Sequence, residues 1–159
     1  LGPLSNPAGA PFQLLGVGRP ALRPLLAEAL SLLGTQRALV VCGDDGLDEV
    51  TLAAETQVTA VENGTLREFT WSPEQFGLTR TSLASLQVEG PAESAAMIRG
   101  ILAGEPGAPR DIVVLNVAAA LFTVGTSDDL HECVRRATAA IHTGAAAELL
   151  TKLAERSHK

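Results

Sequence analysis

Hydrophobic and polar positions divide the chain into short, well-punctuated blocks. Ala38 to Cys42 is wholly apolar, bounded by Arg37 and Gly43. It is too short for a helix and lies between turn formers, so it reads as a strand buried on both faces. Upstream, Phe12–Val17 reads as a second strand, and Gly18-Arg-Pro20 turns it into a helix. The apolar positions of that helix, Leu22, Leu25, Leu26, Leu30 and Leu33, fall on one face. Pro24 places the first turn near Ala21 or Leu22, and Gly34 supplies the stop. These three blocks make a β-α-β unit, expected to be parallel and right-handed.

Further along, the period changes. Thr56–Val61 and Thr65–Trp71 alternate across Glu62-Asn63-Gly64, the signature of a hairpin. Asn63-Gly-Thr65 also fits a glycosylation sequon, but the turn is the better reading. Ser72-Pro-Glu-Gln75 starts a short helix with proline at its first position. A helix from about Ala92 to Ala103 ends at Gly104. Ile112–Val124 is open between strand and helix: its start is β-branched, while its length and Ala118 to Ala120 favour a buried helix, with Asp111 as cap. Ser127 is expected to cap a helix from Asp128 to about Thr143, a last helix follows Gly144, and 156–159 is a polar tail. The expected class is α/β, a mainly parallel sheet with an antiparallel hairpin and a C-terminal helical cluster.

Composition narrows the function classes. The chain has 159 residues, 46% of them hydrophobic, enough for the core of one domain. A formal net charge of -6 without a lysine-rich block makes nucleic acid and anionic membranes poor partners. The apolar stretches Leu22–Leu33 and Ile112–Val124 are too short or interrupted to span a bilayer. No stretch resembles a secretory signal. Two cysteines far apart, Cys42 in a strand and Cys133 in a helix, argue against a disulfide framework, so a cytoplasmic setting is expected.

Chemistry concentrates just after the apolar strand. Asp44, Asp45, Asp48 and Glu49 follow Gly43, where open α/β sheets place their ligands, beyond the carboxyl ends of parallel strands. The plain reading is a solvated turn, since Asp-Asp-Gly is ordinary turn composition. The sharper one is a magnesium site, because Mg²⁺ takes one or two carboxylates and completes its shell with water and phosphate. Gly16-Val-Gly18-Arg-Pro-Ala21 imitates a dinucleotide-binding fingerprint, but Pro20 removes an N–H where a pyrophosphate would need one. His131, His142 and His158 show no ligand spacing. Asn116, inside an apolar run, reads as a buried hydrogen-bonding residue that fixes its helix.

Several motifs together resemble anthranilate phosphoribosyltransferase. They are Leu1-Gly-Pro-Leu-Ser-Asn-Pro-Ala-Gly9, Leu15-Gly-Val-Gly18, Ala38-Leu-Val-Val41 and Asp45-Gly-Leu-Asp-Glu-Val50. Phe69-Thr-Trp71, Phe76-Gly-Leu78 and Leu115-Asn116 with Ala118 to Ala120 extend the likeness along the chain. The resemblance implies the second step of tryptophan biosynthesis, in which the amine of anthranilate attacks the anomeric carbon of phosphoribosyl diphosphate. It implies a catalytic domain of the nucleoside phosphorylase and phosphoribosyltransferase type. It assigns Asp48 and Glu49 to the acidic pair that binds Mg²⁺, and Gly2 and Pro3 to the loop lining the anthranilate channel. No residue is assigned as general acid or base.

The resemblance covers only the C-terminal half of that family. Residues 1–159 are then part of the large α/β domain. The helical domain, the glycine-rich loop that grips the diphosphate and the arginine that orients anthranilate have no counterpart here. The chain departs from the family at Cys42, where His is usual, at Ser5, where Thr is common, and at Ser94, where Asn is common. Catalysis by this chain alone is not expected; self-association, or association with a complementary fragment, is. The alternatives are a non-catalytic truncated domain, a nucleoside phosphorylase-like domain and a dinucleotide-binding domain.

Overall fold

Strand β2, Arg37–Gly43, is the centre of the molecule, and its side chains alternate between two cores. A computed structural model describes residues 2–157; the side chain of Pro3 and residues 158–159, with His158 and the end of the polar tail, lie outside the described residues. Ala38, Val40 and Cys42 face one side of the sheet, where helix α1, Leu22–Leu32, packs through Ala27 and Leu30. Leu39 and Val41 face the other side and meet Leu115, Ala118 and Ala119 of helix α3, Ala108–Thr123. All five of these β2 side chains are at most 1% exposed, so each contributes roughly 1–3 kcal/mol of hydrophobic stabilisation.

The sheet has four strands in the order β1-β2-β3-β4, with β1 at Phe12–Gly16, β3 at Thr56–Glu62 and β4 at Thr65–Trp71. β1 and β2 are parallel, Leu14 opposite Leu39, joined over α1 as the sequence predicts. β3 lies antiparallel to β2, Val41 opposite Val58, and β4 antiparallel to β3. The α/β class, the hairpin and the helical cluster are as expected, but only one of three pairings is parallel, where a mainly parallel sheet was expected. The cause is the connection after β2. Residues 44–55 form no crossover helix, so the chain returns down the neighbouring position and pairs antiparallel. Burial of β2 on both faces thus comes from helices on either side, not from parallel neighbours.

Turn chemistry sets the β3–β4 register. Asn63 and Gly64 both take positive φ, 48° and 82°, as a two-residue primed turn requires. Beyond β4, a short 3-10 turn at Pro73–Phe76 buries Phe76 against Trp71, with ring centroids 5.2 Å apart. Three more helices complete the cluster: α2 at Pro91–Leu102, α4 at Leu130–His142 and α5 at Ala145–Ser157. The ambiguous apolar segment is therefore helical. The cap of α4 is Asp129, whose carboxylate accepts from His131 N at 2.9 Å, and not Ser127. Ser127, two residues earlier, instead accepts from Asp129 N.

Candidate functional site

The acidic loop leaves β2 at Gly43 and is held closed by its own backbone. Gly43 N donates to Leu47 O at 2.8 Å, and Gly46 N to Gly43 O at 2.9 Å. Gly46, with φ of 88°, is where the turn needs glycine. Asp44 N donates to Glu55 O, tying the loop's start to its end. Within this frame the four acids separate into two kinds. Asp45 accepts from Leu47 N at 3.1 Å and from the Thr51 hydroxyl at 2.6 Å. Asp44 accepts from the side-chain amide of Gln57, at 3.2 and 3.3 Å. Both carboxylates are occupied in shaping the loop.

Asp48 and Glu49 are different. Both are exposed, and neither side chain makes a hydrogen bond or ion pair among the described residues. They line one side of a cleft of about 280 Å³ with Leu14, Gly16, Val41 and Asn116. The next residues anchor them: Val50, Thr51 and Leu52 are buried, at 2%, 0% and 0% exposure. Chain direction thus alternates abruptly from solvent to core, which fixes the backbone under two carboxylates left free to accept a ligand.

Gly16 decides how closely the loop approaches. A methyl group there would lie 1.6 Å from the carbonyl oxygen of Asp48, so any side chain would push the loop off the end of β1. Such close backbone approach is a use of glycine that sequence reading did not identify here; the only signal was Gly16 within an imitation dinucleotide fingerprint. That fingerprint is consumed otherwise. Val17 N donates to Val41 O in the sheet, Leu22 N and Arg23 N donate to Arg19 O and Pro20 O in the first turn of α1, and Pro20 has no N–H to offer. These groups form no cradle for pyrophosphate.

Asn116 is the hydrogen-bonding residue expected, half-buried instead of buried, and its partners lie in the acidic loop as well as in its own helix. Its Oδ1 accepts from Val50 N at 2.9 Å, and its Nδ2 donates to Val50 O at 2.9 Å and to Ile112 O at 3.1 Å. It ties α3 to the residue that follows Glu49. The two thiols are buried and free, on opposite faces of the sheet, and burial pushes both above the ordinary thiol pKa. Gly2 and Pro3 belong to a 3-10 turn, Gly2–Ser5.

The donor set suits a hard divalent cation completed by a ligand's oxygens. Two unpartnered carboxylates beside an open cleft are what Mg²⁺ takes when phosphates supply the rest. Among the described residues no three His, Cys, Asp or Glu side chains converge, so a metal cage made by protein alone is not built here.

Comparison with known proteins gives the context. The family model described as "Glycosyl transferase family, a/b domain" matches residues 1–147. Anthranilate phosphoribosyltransferase of Methylocella silvestris is 48% identical over 159 residues, all of this chain and 46% of that protein. The chain therefore spans about half the length of the curated relatives it matches. The crystal structure of anthranilate phosphoribosyltransferase from Thermus thermophilus is 39% identical with a TM-score of 0.81, covering 95% of this chain and 44% of that one. The Saccharomyces cerevisiae enzyme, solved in complex with PRPP and Mg, is 29% identical with a TM-score of 0.83, over 93% of this chain and 43% of that one.

Proposed function

The chain belongs to the glycosyl transferase family, a/b domain, and on that premise we propose that it forms the leaving-group side of an anthranilate phosphoribosyltransferase. The reaction would move phosphoribosyl from phosphoribosyl diphosphate to the amine of anthranilate, in tryptophan biosynthesis. One observation carries the reading: Asp48 and Glu49 stand unpartnered beside the cleft, while Asp45 is bound within the loop and Asp44 to Gln57 of β3.

In this reading Asp48 and Glu49 hold Mg²⁺ against the diphosphate. When bound, the ion neutralises charge that develops on the leaving group as the sugar–oxygen bond breaks. The two carboxylates orient and retain; neither removes a proton. Gly43, Asp45 and Thr51 keep the loop in place, and Gly16 lets it close on the strand end. Gly2 and Pro3 line the anthranilate channel. The diphosphate-gripping loop, the anthranilate-orienting arginine and the helical domain are supplied by residues outside the 159 of this chain.

The test is the loss of anthranilate fluorescence in the presence of phosphoribosyl diphosphate and Mg²⁺. It is run on this chain alone and on a fusion carrying the preceding portion of the Methylocella silvestris relative. Consumption by the fusion, dependent on Mg²⁺ and absent for the chain alone, is the expected result. A folded fusion that leaves anthranilate untouched at every Mg²⁺ concentration removes the reading.

A further inference from the structure

We propose that Asn116 is a positioning residue for the Asp48–Glu49 pair, acting through the backbone of Val50; this rests on the metal reading above. A single side-chain amide pairs with both the N–H and the C=O of Val50, each at 2.9 Å, the arrangement one strand residue offers another. The carboxamide orientation is set by that pairing, because the N–H needs an acceptor and the carbonyl a donor. Nδ2 also donates to Ile112 O, at 3.1 Å, which holds the amide against its own helix turn. Two of its three contacts hold both backbone groups of the residue after Glu49, and the third holds the amide itself.

The placement explains why the amide is there. Val50 follows the two acids directly, and its own side chain is 2% exposed. Between the two acids, the carbonyl of Asp48 rests against Gly16. The backbone is therefore held in the middle of the pair by β1, through the absence of a side chain, and just after the pair by α3, through the presence of one. Asp48 and Glu49 sit at a bend of the chain, so the direction of each carboxylate follows the backbone held at the Asp48 carbonyl and at Val50. Asn116 also lines the cleft itself. A helix-fixing asparagine would need only the bond to Ile112. The amide's other contacts are all to the loop, so its purpose is the loop. Outer residues that orient metal ligands commonly change affinity by about 10–100-fold when removed.

The experiment uses the whole chain and Mn²⁺ alone, with free ion followed by electron paramagnetic resonance and folding by circular dichroism. Asn116→Leu keeps the shape and removes every contact of the amide; Asn116→Ala is the smaller alternative. We expect Mn²⁺ affinity to fall about tenfold in the folded variant, with no further fall when Asn116→Leu is added to Asp48→Asn/Glu49→Gln. Wild-type affinity in a folded Asn116 variant, while the double acid variant loses binding, overturns the positioning role alone. Wild-type affinity in the double acid variant overturns the metal reading beneath it. Should neither Asn116 variant fold, hydrogen exchange in the unaltered chain decides. Linkage requires Mn²⁺ to slow exchange at the Val50 amide, and exchange unchanged by bound ion refutes the proposal.

Discussion

At the scale of residues, the loop divides its acids by partner, and that division makes them separable by mutation. Changing Asp48→Asn and Glu49→Gln removes charge from exposed side chains without hydrogen bonds, so the folded state should shift by no more than about 1 kcal/mol. In the fusion, Mg²⁺-dependent turnover should fall by about 100-fold or more, the usual size of a lost charge contact to a leaving group. Asp45→Asn should do the reverse, because the carboxylate accepts from Thr51 and Leu47. Melting temperature should drop more than turnover at saturating Mg²⁺. Gly16→Ala forces backbone against backbone and should lower stability by about 1–3 kcal/mol, read by thermal melting. The thiols give a pH signature. Burial holds Cys42 and Cys133 above the ordinary thiol pKa in the folded state. Their contribution is complete below the unfolded thiol's pKa and is lost as pH rises toward the raised folded value. The chain has no tyrosine to mask this range. The alkaline fall in melting temperature should therefore shrink in a Cys42→Ala/Cys133→Ala variant; an unchanged alkaline slope would place that loss elsewhere.

At the scale of elements, local chemistry was legible and partners were not. The Asn63-Gly64 turn announced a hairpin because only residues tolerating positive φ suit it, and both take it. Gly64→Ala should therefore weaken β3–β4 pairing, seen as faster amide exchange along Thr65–Trp71, with β1 and β2 little changed. The apolar run of β2 announced a strand covered on both faces, yet coverage does not reveal neighbour direction. A connection without a crossover helix turned β3 antiparallel, and residues 44–55 carry no periodic pattern from which that could be read. For α4, Ser127 and Asp129 are both good caps two residues apart, and local sequence does not choose between them; the structure uses Asp129. Asn116 was legible as a hydrogen-bonding residue in an apolar run. Its partner was not, since Val50 lies 66 positions away. Asp48 and Glu49 stood out as adjacent acids after a strand, but their difference from Asp44 and Asp45 depends on Thr51 and Gln57, which no spacing rule connects to them.

At the scale of the whole molecule, the sheet has two edges of unlike character. β4 carries Arg67 and Glu68 among its exposed residues, the charged dress that discourages further pairing. β1, Phe12 to Gly16, has no charged residue and offers its outer backbone groups to any passing strand. Concentrated solutions of this chain should show rising mass in light scattering, and Gln13→Lys should reduce it. A monodisperse monomer with a single cooperative unfolding transition would speak against an adhesive edge. The bond between Asn116 and Val50 has one more consequence, in time instead of space. The strands and the acidic loop all precede Trp71, whereas α3 begins only at Ala108. A ribosome that has delivered the chain as far as α2 has delivered all four acids and the strand beneath them, but not the amide that orders Val50. Newly made loops must then wait in a slack form, open to proteases and to stray cations, until a later helix docks. Synonymous codons that slow synthesis between Trp71 and Ala108 would lengthen that exposure without changing a single residue.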